Sequence, residues 1–75
     1  MNDFVADSIT AFSRSTGNSP VYIYVGNQEF QQLMNSELMQ FNGRYYDKET
    51  GLYGGRFFMG LKVMKVNQSS HFNIA

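Results

Sequence analysis

Few side chains of this 75-residue chain could carry out catalysis. The chain contains one histidine, no cysteine and six carboxylate side chains. His71 follows Ser69 and Ser70 directly, but adjacent positions do not place an imidazole where it can deprotonate a hydroxyl for attack. Asp47 and Glu49 lie in a turn-like segment, where carboxylates are usually solvated rather than tuned as an acid and a base. We therefore predict no enzymatic activity and no catalytic residue.

The glycines of the second half do not form a phosphate-binding loop. Gly54, Gly55 and Gly60 are not followed by a Lys-Ser or Lys-Thr pair, and their context is a strand rather than a strand-to-helix turn. We expect them to provide backbone freedom at a bulge. A metal site would require His71 and carboxylates from distant segments, and the sequence predicts neither a metal nor a cofactor.

Aromatic and basic side chains interleave between residues 44 and 57. They are Arg44, Tyr45, Tyr46, Tyr53, Arg56 and Phe57. Tyrosine and arginine are favoured anchors in protein interfaces, and the chain is too short to bury every ring in its core. We expect these six residues to bind another protein. The same interleaving is typical of base stacking with phosphate contact, so a nucleic-acid-binding protein is the alternative.

The charge is balanced overall but unevenly distributed. The net charge is zero, which argues against a protein built mainly to neutralise phosphates. Residues 1–37 carry four carboxylates and one arginine, a net charge of −3. Residues 38–75 carry five cations and two carboxylates, a net charge of +3. Such a chain could associate head to tail or present a basic face to an acidic partner, and the alternative is a chance distribution of solvated side chains.

The chain shows no sign of membrane insertion or secretion. No apolar run approaches the length of a membrane span, and the N-terminus lacks a basic region followed by an apolar one. The chain also has no cysteine for a disulfide. These features predict a cytoplasmic protein, or an assembly component made in the cytoplasm.

Apolar periodicity predicts the first half of a single α+β domain over residues 1–75. A helix is expected over residues 3–15, with Gly17 as its C-terminal stop. Val21–Val25 alternates β-branched and aromatic residues, which predicts a strand covered on both faces. A second helix is expected to begin at Asn27 and to run to about Leu38.

Turn residues organise the second half. Arg44–Tyr46 and Leu52–Tyr53 flank a predicted turn over Asp47–Gly51, in which Gly51 takes a left-handed conformation. Gly54-Gly55 is expected to break the return strand, and Arg56–Val66 is expected to form one long strand.

A short last strand is expected over His71–Ile74. The predicted order is therefore α-β-α-β-β-β, in a small mixed or antiparallel sheet of three to four strands with two helices packed on it.

Two stretches resemble known families. Arg44–Tyr53, RYYDKETGLY, resembles the hairpin signature of bacterial YD-repeat toxin shells, but one copy indicates shared turn chemistry only. Pro20–Val66 is similar in layout to a piece of the tailed-phage major capsid fold and to small phage proteins like it. The layout is a strand, a helix containing Phe30 and Leu33, a hairpin, and Phe58–Val63 entering a strand. This resemblance implies a phage or prophage origin and no capsid role.

Together these observations predict a phage-encoded, non-enzymatic protein-binding module in the host-cell cytoplasm or the virion. Its partner would be a host factor that it inhibits or modulates, or a virion protein with which it assembles. A homodimer and the absence of membrane association are also expected. The alternative is a small nucleic-acid-binding protein that uses the basic and aromatic hairpin.

Overall fold

The computed structural model describes residues 2–48 and 50–75, apart from the side chain of Asn2. Within them the chain forms two helices and five strands. They are α1 (Asn2–Thr16), β1 (Tyr22–Val25), α2 (Asn27–Met34), β2 (Met39–Asp47), β3 (Leu52–Phe58), β4 (Leu61–Lys65) and β5 (Phe72–Ile74). The α+β class is confirmed, and the expected three to four strands become five.

The strands form one mixed sheet in the order β2-β3-β4-β1-β5. β1 runs parallel to β4, and the other neighbouring pairs are antiparallel. Ile23 on β1 therefore lies between Val63 on β4 and Ile74 on β5. β1 is therefore flanked on both edges, but the expectation of cover on both faces is met on one face only, since Ile23 and Val25 are buried and Tyr22 on the other face is exposed.

The prediction of one long strand over Arg56–Val66 is wrong. A two-residue turn at Met59-Gly60 divides this segment into β3 and β4, and Phe58 pairs with Leu61 across it. Met59 has a φ of 51° and Gly60 a φ of 82°, the positive values that a type I′ hairpin turn requires at both positions. The break expected at Gly54-Gly55 is also absent, because β3 runs through both glycines.

The helix ends follow local hydrogen bonding. Gly17 ends α1 as predicted, with a φ of 72° and an N–H that donates to the carbonyl oxygen of Ser13 at 2.9 Å. α2 ends at Met34 rather than near Leu38. The hydroxyl of Ser36 accepts a hydrogen bond from the N–H of Leu38 at 3.2 Å, and this local bond replaces a further helical turn.

The predicted hairpin turn is present at its two ends. Gly51 has a φ of 73°, and its N–H donates to the carbonyl oxygen of Asp47 at 2.8 Å. Glu49, within the same turn, lies outside the described residues.

The core lies between the two helices and one face of the sheet. Its buried side chains are Val5, Ile23, Val25, Leu33, Phe58, Leu61 and Val63. α1 packs over β5, where the rings of Phe4 and Phe72 lie 4.7 Å apart. Each fully buried side chain of this kind contributes about 1.5–3 kcal/mol, so this core is small for a free-standing domain.

A contact between the start of α2 and the β4–β5 loop closes the fold; we call it the clamp (residues 26–29 and 68–71). Asn27 and Gln28 donate their N–H groups to the carbonyl oxygens of Gln68 and Ser69 at 2.8 Å and 3.0 Å. The N–H of Gly26 donates to the carbonyl oxygen of His71 at 3.0 Å. These carbonyls cap the helix, since no side chain at its N-terminus does so.

The carboxylate of Glu29 completes the clamp from the other side. One oxygen accepts a hydrogen bond from the hydroxyl of Ser70 at 2.6 Å, and the other accepts the N–H of His71 at 2.9 Å. These bonds, that of Ser70 first, lower the pKa of Glu29 from its ordinary value of 4.5. Helix and loop therefore each satisfy polar groups of the other.

Gly26→Ala should destabilise the protein strongly. An added Cβ would lie 2.7 Å from the N atom of His71 and 2.8 Å from the carbonyl oxygen of Gln68, and backbone atoms cannot move aside. We expect a loss of about 1–3 kcal/mol in the free energy of unfolding, measured by urea denaturation. Gly43→Ala is the control, because its nearest neighbour is a flexible ring at 3.5 Å. Equal stability of the two variants would contradict the clamp.

Glu29→Gln should remove a pH-dependent part of the stability. A carboxylate with a lowered pKa stabilises the folded state above its ordinary value of 4.5, and this contribution is lost as the pH falls through the lower folded value. The melting temperature of the variant should therefore lie below that of the native protein at neutral pH and converge with it in acid. Glu37→Gln, an exposed glutamate, is the control, and a difference independent of pH would refute the assignment.

Candidate functional site

Strand alternation gives the sheet two different faces. Ile23, Val25, Leu61 and Val63 point toward the helices and are buried. The residues between them point to the opposite side, because successive side chains alternate along a strand. Both helices pack on the first side, where Phe30 of α2 lies near Arg56 and Phe4 of α1 near Phe72. The described residues therefore place no helix on the second side, which we call the open face.

The open face carries a group of aromatic rings around one lysine. Its members are Tyr22, Tyr24, Tyr45, Phe57, Lys62 and Met64. Tyr22 and Phe57 both pair with Lys62 across strands, and Tyr24 pairs with Met64. Cross-strand partners share a face, and Tyr45 of β2 joins them through its contacts with Phe57 and Lys62, so these side chains form one surface over the four adjacent strands β2, β3, β4 and β1.

Lys62 is the buried centre of this surface. Only 9% of its surface is exposed, which is unusual for a lysine. Its ammonium donates to the carbonyl oxygen of Val63 at 3.4 Å and lies 5.6 Å from the centre of the Tyr45 ring. Tyr45 in turn meets Phe57 edge to face at 5.2 Å. The cation is thus held mainly by aromatic contact, whose strength is about 0.5–2 kcal/mol.

Gly55 makes this packing possible. A Cβ at this position would lie 2.9 Å from Cδ1 of Tyr45, 3.1 Å from Cε of Lys62 and 3.3 Å from Cε2 of Phe57. The ring of Tyr45 therefore lies directly over the backbone of β3. The glycine serves the site through its missing side chain, and no phosphate-binding role is needed to explain it.

A cavity of about 460 Å³ opens beside Lys62. It is lined by Tyr22, Tyr45, Tyr46, Asp47, Lys48, Lys62 and Met64. Its volume lies in the range of small-ligand sites. The end of the β2–β3 hairpin contributes Tyr46, Asp47 and Lys48, so the hairpin reaches the cavity from one side.

The structure brings together only part of the set predicted from the sequence. Tyr45 and Phe57 lie together on the open face. Tyr46 and Tyr53 form a pair with ring centres 5.1 Å apart at the end of the hairpin, where they are 48% and 72% exposed. Arg44 is exposed, and its N–H donates to the side-chain oxygen of Asn42 at 3.0 Å.

Arg56 lies on the other side of the sheet. Its guanidinium carbon is 5.9 Å from the ring centre of Phe30 and 6.0 Å from that of Phe41. Arg56 and Phe57 are consecutive in β3, so alternation must separate them. The six residues therefore do not form one continuous surface.

Sequence reasoning missed four members of the open face, namely Tyr22, Tyr24, Lys62 and Met64. The signal was present in the alternation of Tyr22-Ile23-Tyr24-Val25 and Leu61-Lys62-Val63-Met64, in which every second residue is the more polar or more adaptable one. Placing both segments side by side in one sheet gives the open face. That pairing is long-range and has no local signature.

The histidine considered for catalysis lies away from this site. The backbone N–H of His71 donates to Glu29, and His71 does not line the cavity beside Lys62, whereas Asp47 does. Among residues 2–48 and 50–75, no three histidine, cysteine or acidic side chains are grouped to hold a metal ion. The same part of the chain contains no helix whose length and apolarity would let it cross a bilayer.

Comparison with known proteins finds no matching family model, no similar curated protein and no similar solved structure. The phage origin and the capsid-like layout expected from the sequence therefore stay predictions.

Gly55→Ala should displace the Tyr45 ring from Lys62. The added methyl group overlaps ring and lysine carbons, so we expect a loss of about 1–3 kcal/mol in the free energy of unfolding. In NMR spectra the ε-methylene protons of Lys62 should lose the upfield shift that a nearby ring causes. Gly43→Ala, on the paired strand, should change neither quantity by a similar amount. An unchanged Lys62 spectrum in folded Gly55→Ala would contradict this packing.

Proposed function

We propose that this chain is a non-enzymatic protein-binding module that contacts its partner with the open face. The observation that carries the proposal is a surface of half-buried aromatic rings, over four adjacent strands, on the side of the sheet away from both helices. Such a surface has the residue types that dominate interface energetics. Tyr45 and Phe57, which edge-to-face packing holds in place, would bind at a low entropic cost.

The hairpin end extends this surface. Tyr46 lines the cavity, and its ring contacts that of Tyr53 in a tilted arrangement. Tyr53 is 72% exposed, so most of its ring is available to a partner that binds the adjoining open face. The total accessible surface is 5232 Å², and a standard interface of about 800 Å² per partner would use under a fifth of it.

The proposal includes a phage origin and a choice between two roles. The layout similarity of residues 20–66 to phage proteins supports the origin. The partner is then a host protein that the chain inhibits or modulates, or a virion protein with which it assembles, in the host-cell cytoplasm or the virion. Self-association as a homodimer would use the same exposed rings.

Nucleic-acid binding is the second candidate, and the exposed rings of the sheet are the observation that favours it. Aromatic rings on a sheet can stack with unpaired bases. The charge of the site favours a protein, since the cavity combines Lys48 and Lys62 with Asp47 and the chain has no net charge. Affinity for a single-stranded oligonucleotide that falls steeply with salt would favour the second candidate.

The proposal predicts that partner binding depends on the open face and its hairpin extension. Affinity capture from the native host, followed by mass spectrometry, identifies the partner, and calorimetry with the purified partner gives affinities. Tyr53→Ala should weaken binding by about tenfold or more while the protein stays folded, as expected for an interface anchor. Phe41→Ala is the matched control, an aromatic residue of 68% exposure on the helix side.

Arg56→Ala separates the two sides of the sheet. Because Arg56 lies between Phe30 and Phe41, an open-face interface predicts nearly unchanged affinity for this variant. Weaker binding by Arg56→Ala and Phe41→Ala, with Tyr53→Ala unaffected, would move the interface to the helix side and refute the proposal.

A further inference from the structure

A nearly buried lysine that faces a cavity requires an explanation. An ammonium group has three N–H donors. Within residues 2–48 and 50–75, the Lys62 ammonium has one hydrogen-bond acceptor. This acceptor is the carbonyl oxygen of Val63, at the long distance of 3.4 Å. Burying a cation is unfavourable unless an anion and further hydrogen bonds compensate for the lost water. The remaining donors are open to an acceptor that enters the cavity, which Lys62 lines.

The charges around the cavity define the acceptor. Lys48 and Lys62 contribute two positive charges and Asp47 one negative charge, a net charge of +1. This matches a single negative charge. A phosphate group with two charges would meet the carboxylate of Asp47 and would find only one buried cation. A lysine ammonium is also a compact point charge, and it lacks the fork of donors with which arginine holds phosphate groups.

The side chains that line the cavity indicate which kind of molecule would bring the negative charge. Tyr22, Tyr45 and Tyr46 give ring faces with hydroxyl groups, and Met64 gives adaptable apolar contact. These four side chains add apolar surface beside the charged part of the lining, so an acid on an aliphatic stem can pack its stem there, which a strongly hydrated inorganic ion cannot. The volume of about 460 Å³ has room for such a side chain and its neighbours.

From these observations we infer that Lys62 and the tyrosine-walled cavity receive one carboxylate from an acidic side chain of the partner protein. The inference rests on the proposed function and deepens it, since it names the chemistry at the centre of the open face. The acidic residue would insert beside Tyr45 and accept the free donors of Lys62. The surrounding rings would exclude water, which strengthens this charge-assisted hydrogen bond.

The test uses two capped tripeptides with the native protein. One is acetyl-Leu-Glu-Leu-amide, and the other is its neutral counterpart acetyl-Leu-Gln-Leu-amide, so that neither carries a terminal carboxylate. NMR titration in the millimolar range follows the amide signals of the open face and the ε-methylene signal of Lys62. We expect shifts centred on Lys62 and Tyr45 with the glutamate peptide, and affinity about tenfold lower with the glutamine peptide.

Lys62→Met provides a second, independent readout. Methionine keeps the apolar stem and removes the charge, so carboxylate binding should be lost. The melting temperature of the free protein should stay the same or rise, because an apolar residue packs in the mostly buried position of Lys62 without the desolvation of a charge. Lys65→Met is the control, an exposed lysine of the same strand on the helix side. It should bind the glutamate peptide as the native protein does.

Several results would overturn the inference. They are equal affinity for both peptides, no shift at Lys62 with either, or binding of inorganic phosphate at Lys62 that is tighter than that of the glutamate peptide. Tight, salt-dependent binding of an oligonucleotide at the same residues would also overturn it.

The partner itself separates this inference from the proposed function. If Tyr53→Ala weakens partner binding and Lys62→Met does not, the carboxylate site is refuted and the open-face interface stands. If neither variant changes the affinity, both fail. If both weaken it and only the glutamate peptide shifts Lys62, both stand.

Discussion

The rest of the structure depends on the clamp, the contact between residues 26–29 and residues 68–71. Gly26 lets the loop backbone approach within a distance that any side chain would prevent, and the loop carbonyls then cap α2. Glu29 returns two hydrogen bonds to the same loop. Because β5 follows this loop directly, the clamp fixes where β5 pairs with β1 and where α1 finds its packing surface. Among the residues that the structure describes, seven side chains form the buried core, which is few for holding these elements by packing alone.

Once both helices lie on one side, the other side of the sheet is left for function. β4 shows the division within five residues, since Leu61 and Val63 enter the core while Lys62 and Met64 face outward. Burial of Lys62 then comes from its neighbours on the sheet, chiefly the Tyr45 ring over Gly55. Two glycines are thus essential to the architecture. Gly26 permits the backbone contact of the clamp, and Gly55 permits the ring contact at the centre of the open face.

Local chemistry made part of this predictable. The strand at Tyr22–Val25, the helix stop at Gly17 and the turn glycine at Gly51 follow from side-chain pattern and backbone preference. The turn at Met59-Gly60 was missed because methionine at a positive φ has no turn signal, and tertiary packing overrides its preference. The interleaving of aromatic and basic residues indicated Tyr45 and Phe57 as candidate site residues. Lys62 was missed, because it lies in the segment 56–66 that was predicted to form one long strand. The clamp joins residues about forty positions apart, so no local pattern reveals it.

The position of Lys62 links folding to binding. A cation held over an aromatic ring, as Lys62 is over Tyr45, gains about 0.5–2 kcal/mol. Full removal of an ion from water costs several kcal/mol even after relaxation, so this contact alone would not compensate for it. Within the part of the chain that the structure describes, burial of most of the Lys62 side chain leaves its ammonium with one long hydrogen bond, the aromatic contact and the cavity. An anion that reaches Lys62 only in the folded state would by mass action stabilise the fold as it binds. In a domain with so small a core, an anion bound at Lys62 would therefore contribute noticeably to the stability of the folded state.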